Sequence, residues 1–175
     1  MNASPPTASA ASRGRHILII KLGALGDVVL ATPLIAQLLD THAADHVTLL
    51  TAPGFRELVD GFRGLHVVTF ERRGLISTLG LLRWLLGQSF DVVYDLQGSL
   101  RSRIMTLLTQ AQRRAGPAPA LAYTHAPLPA ELGVHAFERF NAVLRSAGVD
   151  VAPAAPCLPL GTAVLARVCL LYTSD

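Results

Sequence analysis

The sequence predicts an α/β fold, a doubly wound parallel sheet with helices on both of its faces. Short runs rich in β-branched residues alternate along the chain with longer segments in which apolar residues recur at helical spacing. The first short run, HILIIKL at 16–22, is apolar almost throughout, which is typical of a strand buried on both faces. Strands and helices of these lengths in alternation indicate a parallel sheet with right-handed crossovers.

The first half of the chain begins this alternation. After the strand at 16–22, leucines recur at helical spacing from Asp27 onward. Pro33 within this run predicts either a kink or the start of the main helix body. The elements predicted next, in chain order, are a strand at 46–52 ended by Pro53-Gly54, a short helix at 55–62, a strand at 65–70 and a helix at 75–88.

The second half continues the pattern. Ser99 is suited to the N-cap of a helix, and Gly148 is suited to the end of one. Four prolines between positions 117 and 129 predict a loop. The elements predicted here, in chain order, are a strand at 90–96, a helix at 99–112, a short strand at 113–116 and a helix at 134–148.

The composition is that of a folded domain. The 175 residues suit one domain of ordinary size, and only 15% of them are charged. No apolar run reaches the about 18 residues that indicate a membrane-spanning helix. A net charge of +3 is too small to indicate a nucleic-acid partner. The two cysteines, Cys157 and Cys169, form neither a disulfide framework nor a CxxC metal motif.

The start of the chain differs from the rest. Residues 1–15 are mostly small and polar and include two prolines, which predicts a disordered leader. The apolar run that follows is shorter than the about 7–15 residues of a signal-peptide core, and no early basic cluster precedes it. The sequence therefore predicts a cytoplasmic protein.

The turn GALGD after the first strand is a candidate site. In an open parallel sheet, ligands bind at the carboxyl ends of the strands, beside helix N-termini. Gly23 and Gly26 allow the backbone to approach a ligand, although the spacing matches neither a GxGxxG fingerprint nor a Walker A loop. Asp27 is interpreted either as a cap of the helix or as a general base at the mouth of a cleft.

Three further groups of polar residues are predicted near the same edge of the sheet. Asp95 and Gln97 follow the fourth strand and either bind the hydroxyl groups of a sugar or only close the turn. Arg72 and Arg73 follow the third strand, where they could hold phosphate or carboxylate groups. Arg139 lies four residues after His135, so the two share a helix face.

One histidine pair has a spacing that can suit a metal ion. His42 and His46 are four residues apart, but they span a predicted loop and no third ligand stands at a suitable distance. Metal binding is therefore not predicted.

Taken together, these stretches resemble a known family. Four segments are similar, in order and spacing, to the N-terminal half of bacterial lipopolysaccharide heptosyltransferases, which are glycosyltransferases of the two-domain GT-B fold; the segments are 16–38, 90–102, 113–116 and 135–149. The resemblance implies a Rossmann-like, acceptor-binding domain at 16–160. It also implies that the second domain is absent and that residues 161–175 are a non-family tail produced by truncation.

The resemblance also implies a reaction, an inverting transfer of heptose from ADP-heptose to the lipid A-linked inner core of lipopolysaccharide. Asp27 matches the acid that the family uses as catalytic base. Arg72 and Arg139 match positions that contact the anionic acceptor, and Gln97 and Gly26 complete the predicted acceptor-binding set.

Two positions depart from the family pattern. Tyr123 falls near the place of an expected arginine, and Ala24 stands where many relatives carry serine. Both departures concern the identity of the acceptor.

The implied partners are the ADP-heptose donor and the lipid-linked acceptor, with no cofactor and no metal ion. Because the acceptor is a lipid, peripheral contact with the inner face of the cytoplasmic membrane is expected. The segment LLRWLLG at 81–87 either makes this contact or packs an apolar face inward.

In GT-B enzymes the donor binds chiefly in the second domain, so this chain alone is expected to be inactive. The alternatives are a GT-B enzyme with another acceptor, or a non-enzymatic anion- or nucleotide-binding module.

Overall fold

The computed structural model describes residues 14–71, 75–132 and 135–159. Within them, parallel strands form one sheet with helices on both faces, which confirms the predicted doubly wound α/β fold. The strands are β1 (His16–Ile20), β2 (His46–Thr51), β3 (Leu65–Thr69), β4 (Val92–Asp95) and β5 (Arg113–Ala115). The helices are α1 (Leu25–Thr41), α2 (Arg56–Val59), α3 (Leu75–Gly87), α4 (Leu100–Leu108) and α5 (Ala136–Ser146).

The order of the strands across the sheet is β3-β2-β1-β4-β5. From β1 the chain moves outward through β2 to β3, and it then returns to the other side of β1 to form β4 and β5. Ile20, the last residue of β1, is therefore paired with Leu50 of β2 on one side and with Asp95 of β4 on the other. The gap between the ends of β1 and β4 is the switch point of the sheet.

The residues of β1 alternate between two cores. Ile17 and Ile19 pack toward α1 and α5, while Leu18 and Ile20 pack toward α3 and α4. All four side chains are fully buried, and burial of each stabilises the fold by about 1.5–3 kcal/mol. The near-continuous apolar run in the sequence is thus explained by a central strand covered on both faces.

Helix α1 passes through Pro33 without interruption. Proline has no N–H, so the carbonyl of Val29 loses its usual helical donor. The hydroxyl of Thr32 donates to this carbonyl at 2.7 Å instead. The main body of the helix therefore begins before Pro33, and the interpretation of Pro33 as its start was wrong.

Two predicted helix ends are confirmed. The hydroxyl of Ser99 accepts a hydrogen bond from the N–H of Ser102 at 3.2 Å and so caps α4. At the end of α5, Gly148 has a φ of +76°, and the N–H groups of Gly148 and Val149 donate back to Arg145 and Leu144. This is the Schellman arrangement, which favours glycine at the left-handed position.

Two predicted helices are shorter than expected. The helix predicted at 55–62 consists of a 3-10 turn, Pro53–Phe55, followed by α2, which ends at Val59. The helix predicted at 99–112 ends at Leu108, and Gln110 beyond it has a φ of +52°. A residue with positive φ cannot continue a right-handed helix.

Helix α3 shows that the segment 81–87 packs part of its apolar surface inward, and membrane contact by this segment stays a prediction. Leu81 and Leu85 are buried against the sheet, so the apolar face packs inward, although Leu86 is exposed. Among the described residues, no helix has both the length and the apolar character needed to cross a bilayer.

Most of the predicted leader, residues 1–13, lies outside the described residues. The whole of the predicted tail, 161–175, also lies outside them. The last residue of the predicted leader, Arg15, is described. Its backbone N–H donates to Asp45 Oδ1 at 2.8 Å, and its guanidinium donates to Asp45 Oδ2 at 2.9 Å.

Candidate functional site

The candidate site lies at the switch point between β1 and β4. At this place the turn from β1 into α1 faces the turn from β4 into α4, because the two strands are parallel neighbours. Open α/β sheets bind ligands in the crevice outside such a pair of strand ends, where the following helices leave in opposite directions. The two turns singled out in the sequence are therefore adjacent in space.

The first turn places Asp27 in the opening turn of α1. Gly23 has a φ of +142°, a conformation that favours glycine. The N-cap is Ala24, whose extended backbone leads into the helix at Leu25 without a side-chain cap. The interpretation of Asp27 as the cap was therefore wrong, because the cap position lies three residues earlier.

The carboxylate of Asp27 forms an ion pair and is also partly exposed to solvent. Its Oδ2 accepts a hydrogen bond from Lys21 Nζ at 3.0 Å, and 41% of the side chain remains exposed. The side chain is thus held by one contact and still reaches solvent. A carboxylate in this position can receive a proton from a molecule in the crevice.

Lys21 is the buried partner in this pair, with a side chain only 2% exposed. Its ammonium also donates to the carbonyl of Leu96 at 3.4 Å and lies 4.5 Å from the ring centroid of Phe140. Burial lowers the pKa of Lys21, while the negative charges of Asp27 and Asp95 oppose that shift. The positive charge of Arg139 lowers it further.

Sequence reasoning did not select Lys21 as a site residue. Two signals could have found it: Lys21 is the only lysine in the chain, and it ends a run of otherwise apolar residues. A charged residue directly after a buried central strand requires a partner, and Asp27 is six positions away.

The second turn contains Asp95, which is fully buried. Its Oδ1 accepts from the N–H groups of Gln97 and Gly98, each at 2.9 Å, and its Oδ2 accepts from the hydroxyl of Tyr123 at 2.6 Å. Asp95 therefore closes the turn, as one of its two interpretations held. Burial, and then the charge of Asp95, raises the pKa of Tyr123 above its usual value, so the phenol remains a donor.

Gln97 joins the two turns. Its Oε1 accepts a hydrogen bond from the N–H of Leu22 at 2.9 Å. The same two residues line a pocket of about 390 Å³ together with Ser99 and Arg101. Small-molecule sites begin at about this size. The acceptor-binding role of Gln97 remains a prediction.

The other predicted acceptor-binding residues differ in their position and exposure. Gly26 lies exposed in the first turn of α1, and a Cβ added there would meet no atom within 4 Å. Arg139 is exposed near the start of α5, close enough for its charge to act on Lys21. Arg72 lies outside the described residues, as does Arg73.

The histidine pair does not converge on a shared position. His42 contacts Asp45 through Nδ1 at 2.9 Å and Tyr94 through Nε2 at 3.1 Å, whereas the ring of His46 lies 5.0 Å from that of His16. Within the described ranges, no cluster of three or more His, Cys, Asp or Glu side chains is arranged to hold a metal ion.

The sequence matches no protein family model and no curated protein. Solved structures share the fold. A glycosyl transferase family 9 protein from Veillonella parvula DSM 2008 has a TM-score of 0.76 and 18% identity, over 91% of this chain and 49% of that one. E. coli heptosyltransferase WaaC, solved with ADP, has a TM-score of 0.64 and 19% identity, over 79% of this chain and 49% of that one. E. coli ADP-heptose LPS heptosyltransferase II has a TM-score of 0.68 and 17% identity, over 91% and 51%.

These similarities establish the fold. They confirm the Rossmann-like α/β architecture that the sequence predicts. In each of the three solved structures, this architecture forms one part of a longer chain. The present chain spans about half the length of each of the three structures.

Proposed function

We propose that this chain is the acceptor-binding part of an inverting glycosyltransferase that transfers heptose from ADP-heptose to the inner core of lipopolysaccharide. The structures that share its fold support the proposal, since they are described as heptosyltransferases or as a family 9 glycosyl transferase. The observation that carries the proposal is the carboxylate of Asp27, which is 41% exposed at the switch point of the sheet.

In the proposed step, Asp27 is the general base. The hydroxyl oxygen of the acceptor attacks the anomeric carbon of heptose on the face opposite the nucleotide, so the configuration inverts. The bond to the acceptor forms as the bond to the diphosphate breaks, and the electron pair of the broken bond leaves with ADP. The hydroxyl proton passes to Asp27, and because Lys21 binds Oδ2, the receiving oxygen is Oδ1.

A carboxylate is a weak base, and this suits the proposed order of events. If the bond to the leaving group is largely broken before the proton moves, the sugar has oxocarbenium character. The acceptor oxygen then becomes acidic as it bonds to that carbon, and a weak base suffices to remove its proton.

The remaining predicted residues would bind the acceptor. Arg139 and Arg72 would bind its anionic groups in a two-pronged fashion. The Oε1 of Gln97 accepts from the N–H of Leu22, and the amide nitrogen of Gln97 would donate to a sugar hydroxyl. Gly26 would allow the acceptor to approach the backbone of α1, because the space beside it is empty.

The proposed reaction uses no metal ion or cofactor. Near the switch point, Asp95 is buried with hydrogen bonds to both oxygens and Asp27 is paired with the ammonium of Lys21, so neither carboxylate is assigned to a metal ion. Positive charge near the acceptor would come from arginine side chains instead.

The proposed donor site lies in a second domain. The chain spans about half the length of the structures that share its fold, and one of these is described with ADP. We therefore expect the present chain to supply the base and the acceptor site, and to need a second α/β domain for donor binding.

We also propose that the protein contacts the cytoplasmic face of a membrane, because its acceptor is a lipid. Helix α4 carries three exposed apolar side chains at helical spacing, Leu100 (75% exposed), Ile104 (48%) and Leu107 (45%). Arg101 beside them would favour anionic lipid head groups. This face supports contact with a bilayer surface.

The test is the replacement Asp27→Asn in the complete gene product that contains this chain. Asparagine keeps the shape of the side chain and removes its basicity, so we expect the rate of transfer to fall by about a hundredfold or more. The matched control is Asp40→Asn, an exposed position on the same helix, which should leave the rate unchanged. Unchanged transfer in Asp27→Asn would exclude the role as base.

A further inference from the structure

We propose that Lys21 is a positioning residue for Asp27, a buried ammonium that fixes one carboxylate oxygen and directs the other into the crevice. The inference rests on the proposed function of Asp27 as base. It assigns a role to a residue that the sequence motifs do not include.

The geometry holds the ammonium from several elements at once. Lys21 follows directly on β1, and its Nζ contacts Asp27 of α1 at 3.0 Å, the carbonyl of Leu96 after β4 at 3.4 Å and the ring of Phe140 on α5 at 4.5 Å. These contacts leave Nζ little freedom to move. The Oδ2 of Asp27 is therefore held at a fixed point, and the orientation of Oδ1 follows from it.

Fold stability alone does not explain a lysine at this position. An ammonium that is removed from water loses its hydration, and one ion pair with a partly exposed carboxylate does not fully replace it. The end of the side chain lies over the ring of Phe140, and the similarly long methionine side chain could occupy the same space. The lysine is therefore better explained by what it does to Asp27 than by what it adds to the fold.

The charges around Lys21 also fit the proton transfer. When Asp27 takes up a proton, Lys21 loses the negative charge that it contacts. Asp95 acts on Lys21 as a second negative charge, and Arg139 acts as an opposing positive one. The ammonium thus keeps a counter-charge while Asp27 is neutral, which limits the cost of the protonated state.

The first experiment follows the Lys21 side chain by ¹⁵N NMR during a pH titration of the 175-residue chain. Burial lowers the pKa of Lys21 and Asp27 opposes that shift, so Asp27→Asn should move the titration midpoint to still lower pH. Asp40→Asn should leave the midpoint unchanged. If the titration midpoint of Lys21 is the same in Asp27→Asn as in the wild type, the proposal is overturned.

The second experiment measures transfer by Lys21→Met in the complete gene product. We expect kcat to fall by about a hundredfold, the acceptor KM to stay within about twofold, and the melting temperature to stay equal or rise. Lys21→Arg keeps the charge and should retain more of kcat than Lys21→Met. A residue that served only the fold would instead lower the melting temperature and leave kcat of the folded fraction intact.

The two proposals fail in different ways. If Asp27→Asn abolishes transfer while Lys21→Met retains the full kcat, the positioning role is excluded and the base stands. If Asp27→Asn leaves transfer unchanged, the proposed function itself is excluded. The lysine titration needs no substitution at position 21, so it decides the coupling even if Lys21→Met does not fold.

Discussion

Two carboxylates end up at neighbouring strand ends with opposite surroundings. Asp95 is fully buried and accepts three hydrogen bonds from its own turn and from Tyr123, so a ligand in the crevice does not reach its oxygens. Asp27 accepts one hydrogen bond from Lys21 and keeps 41% of its side chain exposed. The difference assigns a structural role to the first residue and leaves the second available for chemistry.

At the same scale, Gly26 provides a test of acceptor approach. A methyl group at this position meets no protein atom within 4 Å, and alanine favours a helix over glycine by up to about 1 kcal/mol. We therefore expect Gly26→Ala to melt at an equal or higher temperature and to raise the acceptor KM by about tenfold. Enzyme kinetics and thermal unfolding measure the two effects.

The matched control for this prediction is Gly80→Ala. Gly80 also lies in a helix, α3, and a methyl group there also meets no atom within 4 Å. This variant should gain stability without a change in KM. If Gly26→Ala has the kinetics of Gly80→Ala, the acceptor does not approach α1 at this position.

At the scale of elements, one cluster of side chains ties the start of β1 to the turn between α1 and β2. Arg15 and His42 both hydrogen bond to Asp45, and His42 also contacts Tyr94 of β4. Burial acts to raise the pKa of Asp45, but the hydrogen bonds from Arg15 and then His42 outweigh it and lower the pKa to about 2. The cluster therefore stabilises the fold only while Asp45 is ionised.

This gives a pH-dependent prediction for Asp45→Asn. The folded pKa lies below the unfolded value of 3.8, so the stabilisation is complete above pH 3.8 and is lost as the pH falls toward 2. At neutral pH we expect a loss of about 1–3 kcal/mol in the free energy of unfolding. Urea unfolding across this range should show the wild-type and variant curves converging in acid.

The control is Asp60→Asn, which removes an exposed pair with Arg56 at 3.4 Å. Exposed pairs contribute about 0–1 kcal/mol, so this variant should stay close to wild type at every pH. A constant gap between Asp45→Asn and wild type from pH 7 to pH 2 would contradict the assignment.

The exposed face of α4 gives a second prediction about an element. We expect the double replacement Ile104→Glu and Leu107→Glu to weaken binding to anionic vesicles severalfold, because it places negative charge on the proposed contact face. Vesicle co-sedimentation of the 175-residue chain measures the effect. Leu121→Glu is the control, since Leu121 is 94% exposed in a loop, and equal binding by both variants would exclude α4 as the contact.

At the scale of the whole molecule, the chain should bind acceptor without completing transfer. We expect calorimetry to show binding of the core saccharide to the 175-residue chain and no transfer of heptose until a second domain is present. In the proposed function the donor binds in a second domain, so the 175-residue chain alone would form only the acceptor side of the site. Multiple turnovers of ADP-heptose by the 175-residue chain alone would contradict this division of labour.

Most of the fold could be predicted from the sequence because its signals are local. The apolar run of β1, the spacing of leucines in α1 and the glycine after α5 each act within a few residues. The contacts that define the site are not local. Lys21 meets Leu96 and Tyr123 meets Asp95 across 75 and 28 positions, and periodicity does not record which loops meet. The sequence thus predicted that Asp27 lies at the carboxyl edge of the sheet. It could not show that Asp27 pairs with Lys21, or that Asp95 is buried.

The solitary lysine has a practical consequence. Because no other residue of the chain carries a primary amine on its side chain, lysine labelled with a heavy isotope would give one side-chain resonance, with no assignment needed. That resonance originates from the ammonium that binds Asp27, so a molecule that contacts the exposed side of Asp27 should shift it. Fragment libraries could therefore be screened against this single reporter before any substrate is in hand.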